Sequence, residues 1–214
     1  MKIDNYKEEI AEILIDIESI KFSFNNPFKL TSGLKSPVYV DCRKIISFVK
    51  ARNKILEYSN KYFVDNKIDF DILAGGETAG IPYAAFLSEK LQKEMIYVRK
   101  KPKGFGKNNQ IEGYFEKQKK VILIEDLATD GGSKKIFVEA LRNAGLKISD
   151  IFVIFYYDIF KSTIFDNLNV KIHSLCTWKN IINVIYNKNL FNDIEIENLK
   201  LFLDKPNEWR EKNS

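Results

Sequence analysis

The sequence predicts an α/β protein with a mostly parallel central sheet flanked by helices, and three observations carry that prediction. Val121 to Ile124 form an unbroken β-favouring apolar run, the pattern of a strand covered on both faces. Ile136, Phe137, Ala140, Leu141 and Ala144 then recur at helical spacing, and Gly145 supplies a left-handed stop. Phe70 to Ala74, the turn Gly75 to Gly80 and a helix over Ile81 to Leu91 repeat the same strand, turn, helix order.

Taken from the amino end, Ile10, Ile13, Leu14 and Ile17 make one apolar stripe, so the first twenty residues read as a docked helix. Phe28 to Asp41 follows Pro27, contains Gly33 and Pro37, and carries short β-rich runs, which suggests a small hairpin or hood outside the main sheet. A helix from about Ala51 to Asn66 leads into the strand Phe70 to Ala74. Met95 to Val98 is the next strand, and Arg99 to Gly113 is a polar segment without hydrophobic periodicity. Beyond the helix that ends at Gly145, further strand and helix units occupy Ser149 to Tyr157, Lys161 to Leu168, Val170 to Thr177 and Lys179 to Asn187. A final helix runs over Ile194 to Leu203. No internal repeat or low-complexity linker interrupts the chain, so one domain over 1–214 is expected. Its parts are an N-terminal helix and hood over about 1–45, a core over about 46–178, and C-terminal helices over about 179–214.

Composition narrows the function classes. A chain of 214 residues buries a substantial core, and its net charge of +5 is modest and not gathered into a recognition motif, so nucleic-acid binding is not expected. Cys42 and Cys176 are too few for a disulfide framework or a zinc site and read as small buried residues. The longest apolar stretch, Ile151 to Tyr157, is far short of a membrane span, and the acidic residues between Ile3 and Glu18 are wrong for a signal peptide. A cytoplasmic protein is expected. The single histidine, His173, falls on a predicted strand and reads as structural.

The most informative stretch is V-I-L-I-E-D-L-A-T-D-G-G-S, from Val121 to Ser133. It joins the carboxyl end of a strand to the amino end of a helix, where open α/β sheets bind ligands and where free N–H groups favour a phosphate. Gly131 and Gly132 let backbone approach an anion, and Glu125 and Asp126 suit a sugar's vicinal hydroxyls or a Mg²⁺ that bridges them. D-G-G alone is most often only a plain turn. A Walker motif is absent, and an EF-hand starting at Asp126 fails because Ala128 and Phe137 stand where oxygen ligands belong. The turn Gly75 to Gly80 suits either a pyrophosphate cradle or a tight connection. R-K-K-P-K-G-F-G-K-N-N-Q, from Arg99 to Gln110, carries five cations and is either a solvated loop or an anion-binding lid.

The thirteen-residue stretch resembles the phosphoribosyl pyrophosphate (PRPP) signature of type I phosphoribosyltransferases. F-K-L-T-S-G-L-K-S-P-V-Y-V-D-C-R (Phe28 to Arg43), A-G-G-E-T-A-G-I-P-Y-A-A (Ala74 to Ala85) and Y-V-R-K-K-P-K-G-F-G-K-N-N-Q-I-E-G (Tyr97 to Gly113) are similar, in order and spacing, to segments of the orotate phosphoribosyltransferases. The resemblance covers the chain from about residue 20 to 160 and implies the type I fold with a small N-terminal hood closing over the base. It further implies transfer of phosphoribose from PRPP to orotate in UMP biosynthesis, with Mg²⁺ held mainly through PRPP rather than by protein ligands. A homodimer is implied, each subunit lending its lid to the other's site.

Residue by residue, the resemblance implies that Arg99, Lys100, Lys103 and Lys107 bind pyrophosphate, with Arg99, Lys103 and Asp126 the catalytic groups. Glu125 and Asp126 hold the ribose, Leu127, Ala128 and Asp130 belong with them to the PRPP-binding set, and the stretch Thr129 to Ser133, with Gly131, Gly132 and Ser133 gripping it, holds the 5′-phosphate. Thr129, Lys35 and Arg43 face orotate. The chain departs from the family pattern in three places. Phe105 stands where many members have a lid histidine, Asp130 where threonine is common, and Tyr156, Tyr157 and Asp158 where some members place an arginine. Asp130 is expected to cap the following helix rather than touch phosphate. Rival functions are another base-specific phosphoribosyltransferase and a non-catalytic PRPP-binding regulator.

Overall fold

A computed structural model describes residues 5–30, 33–102, 110–129, 131–159 and 163–213. The elements begin with α1 (Asn5–Asp16), β1 (Ile20–Phe22), β2 (Phe28–Lys29), β3 (Lys35–Ser36), β4 (Val38–Val40) and a 3₁₀ turn over Cys42–Ser47. They continue through α2 (Val49–Asp65), β5 (Ile72–Gly76), α3 (Gly80–Leu91), β6 (Glu94–Val98), β7 (Ile111–Glu112), β8 (Lys120–Ala128) and α4 (Gly132–Asn143). The last are β9 (Lys147–Tyr156), α5 (Ile164–Asn167), β10 (Lys171–Thr177), α6 (Trp178–Asn187), α7 (Asp193–Asp204) and α8 (Pro206–Lys212). Two compact units result, one from residues 1–48 and 178–214, the other over Val49–Thr177.

The second unit is an α/β sandwich around a six-stranded sheet of order β10-β9-β8-β5-β6-β7. Every pairing is parallel except that of β6 with β7. Burial on both faces explains the unbroken apolar run in β8. Val121 and Leu123 join a core with Phe137 and Leu141 of α4, while Ile122 and Ile124, pointing the other way, are also buried. On β9, Phe152 meets Phe63 and Tyr62 of α2 at centroid distances of 4.6 and 5.7 Å. Each such side chain contributes roughly 1.5–3 kcal/mol on burial, so substitution by a polar residue on either face is costly.

Helix α4 ends as the sequence predicts. Gly145 has φ of +88°, its N–H donates to Arg142 O at 2.9 Å, and Leu146 N–H donates to Leu141 O at 3.1 Å. These two bonds complete a Schellman motif, which satisfies carbonyls the helix would otherwise leave open. The face of α4 differs from the expected one. Ile136 is 42% exposed, whereas Lys134 is buried on the same side as Phe137, Val138 and Leu141. His173 is a structural strand residue, buried in β10, with Nε2 2.7 Å from Asp150 Oδ1 and Nδ1 3.2 Å from Tyr62 Oη.

The first unit holds the expected amino-terminal helix and a hood built as two short antiparallel pairs. Ile20 pairs with Val40 through β1 and β4, and Phe28 pairs with Ser36 through β2 and β3. Rings of Phe22 and Phe24 pack on Phe191, and Phe22 also meets Trp178. Ile194 to Leu203 is not the final helix, because α8 follows with Pro206 in its first turn and Trp209 fully buried against Phe202. Proline at a helix start and a lone tryptophan leave too little periodicity to reveal so short an element. Cys42 and Cys176 are buried and form no disulfide, and among the described residues no helix is long and apolar enough to cross a membrane.

Candidate functional site

The strand order reverses between β5 and β8: β5 leads through α3 to β6 on one side, and β8 leads through α4 to β9 on the other. Their adjoining carboxyl ends therefore frame the crevice at which open parallel sheets take ligands. Two short connections leave from it, Glu77 to Ala79 into α3 and the one that follows Ala128 into α4. The N-cap residues of these helices, Ala79 and Gly131, make no side-chain capping bond, so both helix starts suit anions.

Glycine is required where α3 begins. A Cβ on Gly80 would fall on Ile124 O and Glu125 Oε1, and one on Gly75 would stand 2.7 Å from Ile81 Cα. The helix start is thereby pressed directly onto the end of β8, which brings the two turns side by side.

Strand β8 runs further than its apolar stretch, carrying Glu125 and Asp126 within the ladder to Ala128. Strand alternation separates the two carboxylates. Asp126 is partly exposed, whereas Glu125 is 5% exposed with Oε2 2.7 Å from Lys134 Nζ. Lys134 Nζ also donates to Leu127 O at 2.6 Å and lies 3.3 Å from Ser133 Oγ. Glu125 Oε1 is buried, with no hydrogen-bond partner among the described residues. Burial pushes the Glu125 carboxyl above its ordinary range, opposed by the Lys134 charge.

The cationic segment starts and ends on paired backbone. Arg99 N–H donates to Gln110 O and Gln110 Nε2 to Arg99 O, each at 2.8 Å, directly beside the β6–β7 ladder. Arg99 Nη1 is 3.2 Å from Glu112 Oε1, and the Lys100 amide donates to Glu77 Oε2 at 2.9 Å. The turn after β5 thus grips the start of the segment. Lys103, Phe105, Lys107 and Asp130 lie outside the described residues, and with them the expected lid cations and the expected capping role of Asp130. Thr129, Gly131, Gly132 and Ser133 sit at the head of α4, with Gly131 buried under the Phe165 ring.

Lys35 and Arg43 belong to the first unit. Lys35 Nζ donates to Asn213 O at 2.7 Å, and Arg43 Nε is 2.6 Å from Asp41 Oδ1, a pairing that raises the guanidinium pKa.

Sequence reasoning missed Lys134, Glu77, Gln110 and Glu112. Lys134 carried a usable signal: a lysine at i with apolar residues at i+3, i+4 and i+7 sits on a buried face and demands a buried partner. The other three are polar residues in polar segments and carried none.

No family model matches the chain. It is 43% identical over 210 residues to a Rhizobium rhizogenes protein named orotate phosphoribosyltransferase, covering 96% of this chain and 90% of that one. Among solved structures, an Aeropyrum pernix orotate phosphoribosyltransferase matches with a TM-score of 0.73 at 25% identity, over 86% of this chain and 99% of its own. A Leishmania donovani UMP synthase matches with a TM-score of 0.78 at 26% identity, over 94% of this chain and 42% of that larger one.

Proposed function

The chain belongs to the orotate phosphoribosyltransferase family, and from that membership we propose that it transfers the 5-phosphoribosyl group of PRPP to orotate. The products are orotidine 5′-monophosphate and pyrophosphate, a step of pyrimidine nucleotide synthesis. The observation that carries this reading to the site is the crevice between β5 and β8, where two helix starts without side-chain caps flank an acidic strand end.

PRPP has two anionic ends, and the crevice has two anion-suited turns. The turn over residues 129–133 takes the 5′-phosphate, and the turn Glu77 to Ala79, with Arg99, Lys100, Lys103 and Lys107, takes the pyrophosphate. Asp126 meets the ribose hydroxyls. Glu125, whose Oε2 is taken by Lys134, stands behind it in this conformation. As the bond from the anomeric carbon to pyrophosphate breaks, the sugar gains oxocarbenium character and the leaving group gains charge. The cations stabilise the departing anion and exclude water that would hydrolyse the activated sugar. Orotate is already anionic, so positioning replaces a dedicated base. Thr129, Lys35 and Arg43 are the groups proposed for orotate.

Among the described residues, no group of three or more His, Cys, Asp or Glu side chains stands together as a cation cage. We propose that Mg²⁺ enters with PRPP and is held mainly through its oxygens. Bound Mg²⁺ would offset charge shared by the pyrophosphate and ribose oxygens. A cytoplasmic homodimer, with the segment 99–110 shared between subunits, completes the proposal.

The test is the fall in orotate absorbance when PRPP and Mg²⁺ are added to the purified protein. Orotate consumption with stoichiometric pyrophosphate is expected, and adenine, hypoxanthine and uracil should not substitute. No change at high enzyme concentration would sink the reading.

A further inference from the structure

We propose that Lys134 is a positioning residue for the 5′-phosphate loop, acting through Glu125 and the loop backbone rather than by touching substrate. The inference rests on the reading of residues 129–133 as that loop. Three contacts carry it. The ammonium lies 2.7 Å from Glu125 Oε2 within β8, donates to Leu127 O at 2.6 Å where the strand leaves the acidic pair, and lies 3.3 Å from Ser133 Oγ in the first turn of α4. One cation therefore braces both ends of the loop.

Packing alone does not require a lysine there. The position lies on the apolar face of α4 with Phe137, Val138 and Leu141, and its side chain is 7% exposed. A leucine or methionine would fill such a site without desolvating a charge. Between the braced ends the loop contains Gly131 at φ +88° and Gly132, and the N-cap residue supplies no side-chain bond. A chain so permissive needs an external tie if its N–H groups are to converge on one phosphate. Lys134 supplies that tie, and the buried Glu125 carboxylate supplies the charge that holds Lys134 in place.

The experiment measures PRPP affinity by calorimetry and steady-state kinetics on the full chain with Mg²⁺. It compares wild type with Lys134→Met, Lys134→Arg and the paired Glu125→Gln/Lys134→Met. Lys134→Met should raise Kd and KM for PRPP by roughly tenfold or more, within the ~100-fold that a misplacement of about 1 Å costs. KM for orotate should stay within about twofold, and Lys134→Arg, which keeps a charged donor, should recover much of the loss. If Lys134→Met does not fold, the paired variant decides, because it leaves no unpartnered buried charge. Weakened PRPP binding by a folded paired variant supports the proposal. Wild-type affinity for PRPP in either variant overturns it, since Lys134 would then only neutralise Glu125. Wild type that binds PRPP but consumes no orotate removes the proposed function and leaves this comparison standing, whereas wild type that binds no PRPP removes both.

Discussion

Glu125 illustrates how one buried side chain links stability to pH. Its folded-state carboxyl is raised by burial, so the folded protein holds that proton to higher pH than the unfolded chain does. The associated stability is fully present below the unfolded value and is lost as pH rises through the raised one. Lys134 opposes the shift, and Lys134→Met removes that opposition. The variant should therefore lose melting temperature relative to wild type progressively as pH rises above the ordinary carboxylate range. The loss should approach about 3–5 kcal/mol where Glu125 must ionise without a partner. Glu125→Gln in the same background should flatten the difference, and a pH-independent loss in Lys134→Met would show that the charge is not the cause. The acidic pair itself was legible in the sequence, because adjacent carboxylates at the end of an apolar strand stand out. Their unequal surroundings were not legible, since they depend on where β8 stops and on a lysine brought in from the next helix.

At the scale of elements, the long units were readable and the short ones were not. Strand β8 and helix α4 announce themselves through an unbroken apolar run, helical spacing and Gly145. The two-residue strand β7 has no periodicity to detect, and pairing with β6 creates it only after the chain returns from the cationic segment. That return gives the segment a defined base, in which Gln110 Nε2 holds Arg99 O and Glu112 holds the Arg99 guanidinium. Gln110→Ala removes one side-chain bond while leaving Arg99 N–H on Gln110 O. The expected effect is a three- to tenfold rise in KM for PRPP, corresponding to a net hydrogen bond of roughly 0.5–1.5 kcal/mol. Melting temperature should hardly move, because the bond lies at the rim of the sheet. Steady-state kinetics beside a thermal melt separate the two, and a stability loss with unchanged KM would assign Gln110 to the fold alone.

For the whole molecule, the question is whether one chain completes a site. The proposed pyrophosphate cations lie in a segment that leaves the sheet at Arg99 and rejoins it at Gln110, and the proposed ribose contact, Asp126, lies near the carboxyl end of a different strand. If each subunit lends its segment to its neighbour, the two halves of a site belong to different chains, as closed twofold symmetry permits. Lys103→Ala and Asp126→Asn each damage every site in their own homodimer. Mixed one to one and allowed to exchange, they form heterodimers in which one site carries both changes and the other carries neither. Random pairing makes half the dimers mixed, so about a quarter of the wild-type rate should return. Sites built within single chains would instead leave every site damaged, and the mixture would stay at the average of its two parents. A co-expressed, doubly tagged heterodimer gives the sharper reading, because purification removes the parents and raises the expected rate to about half of wild type.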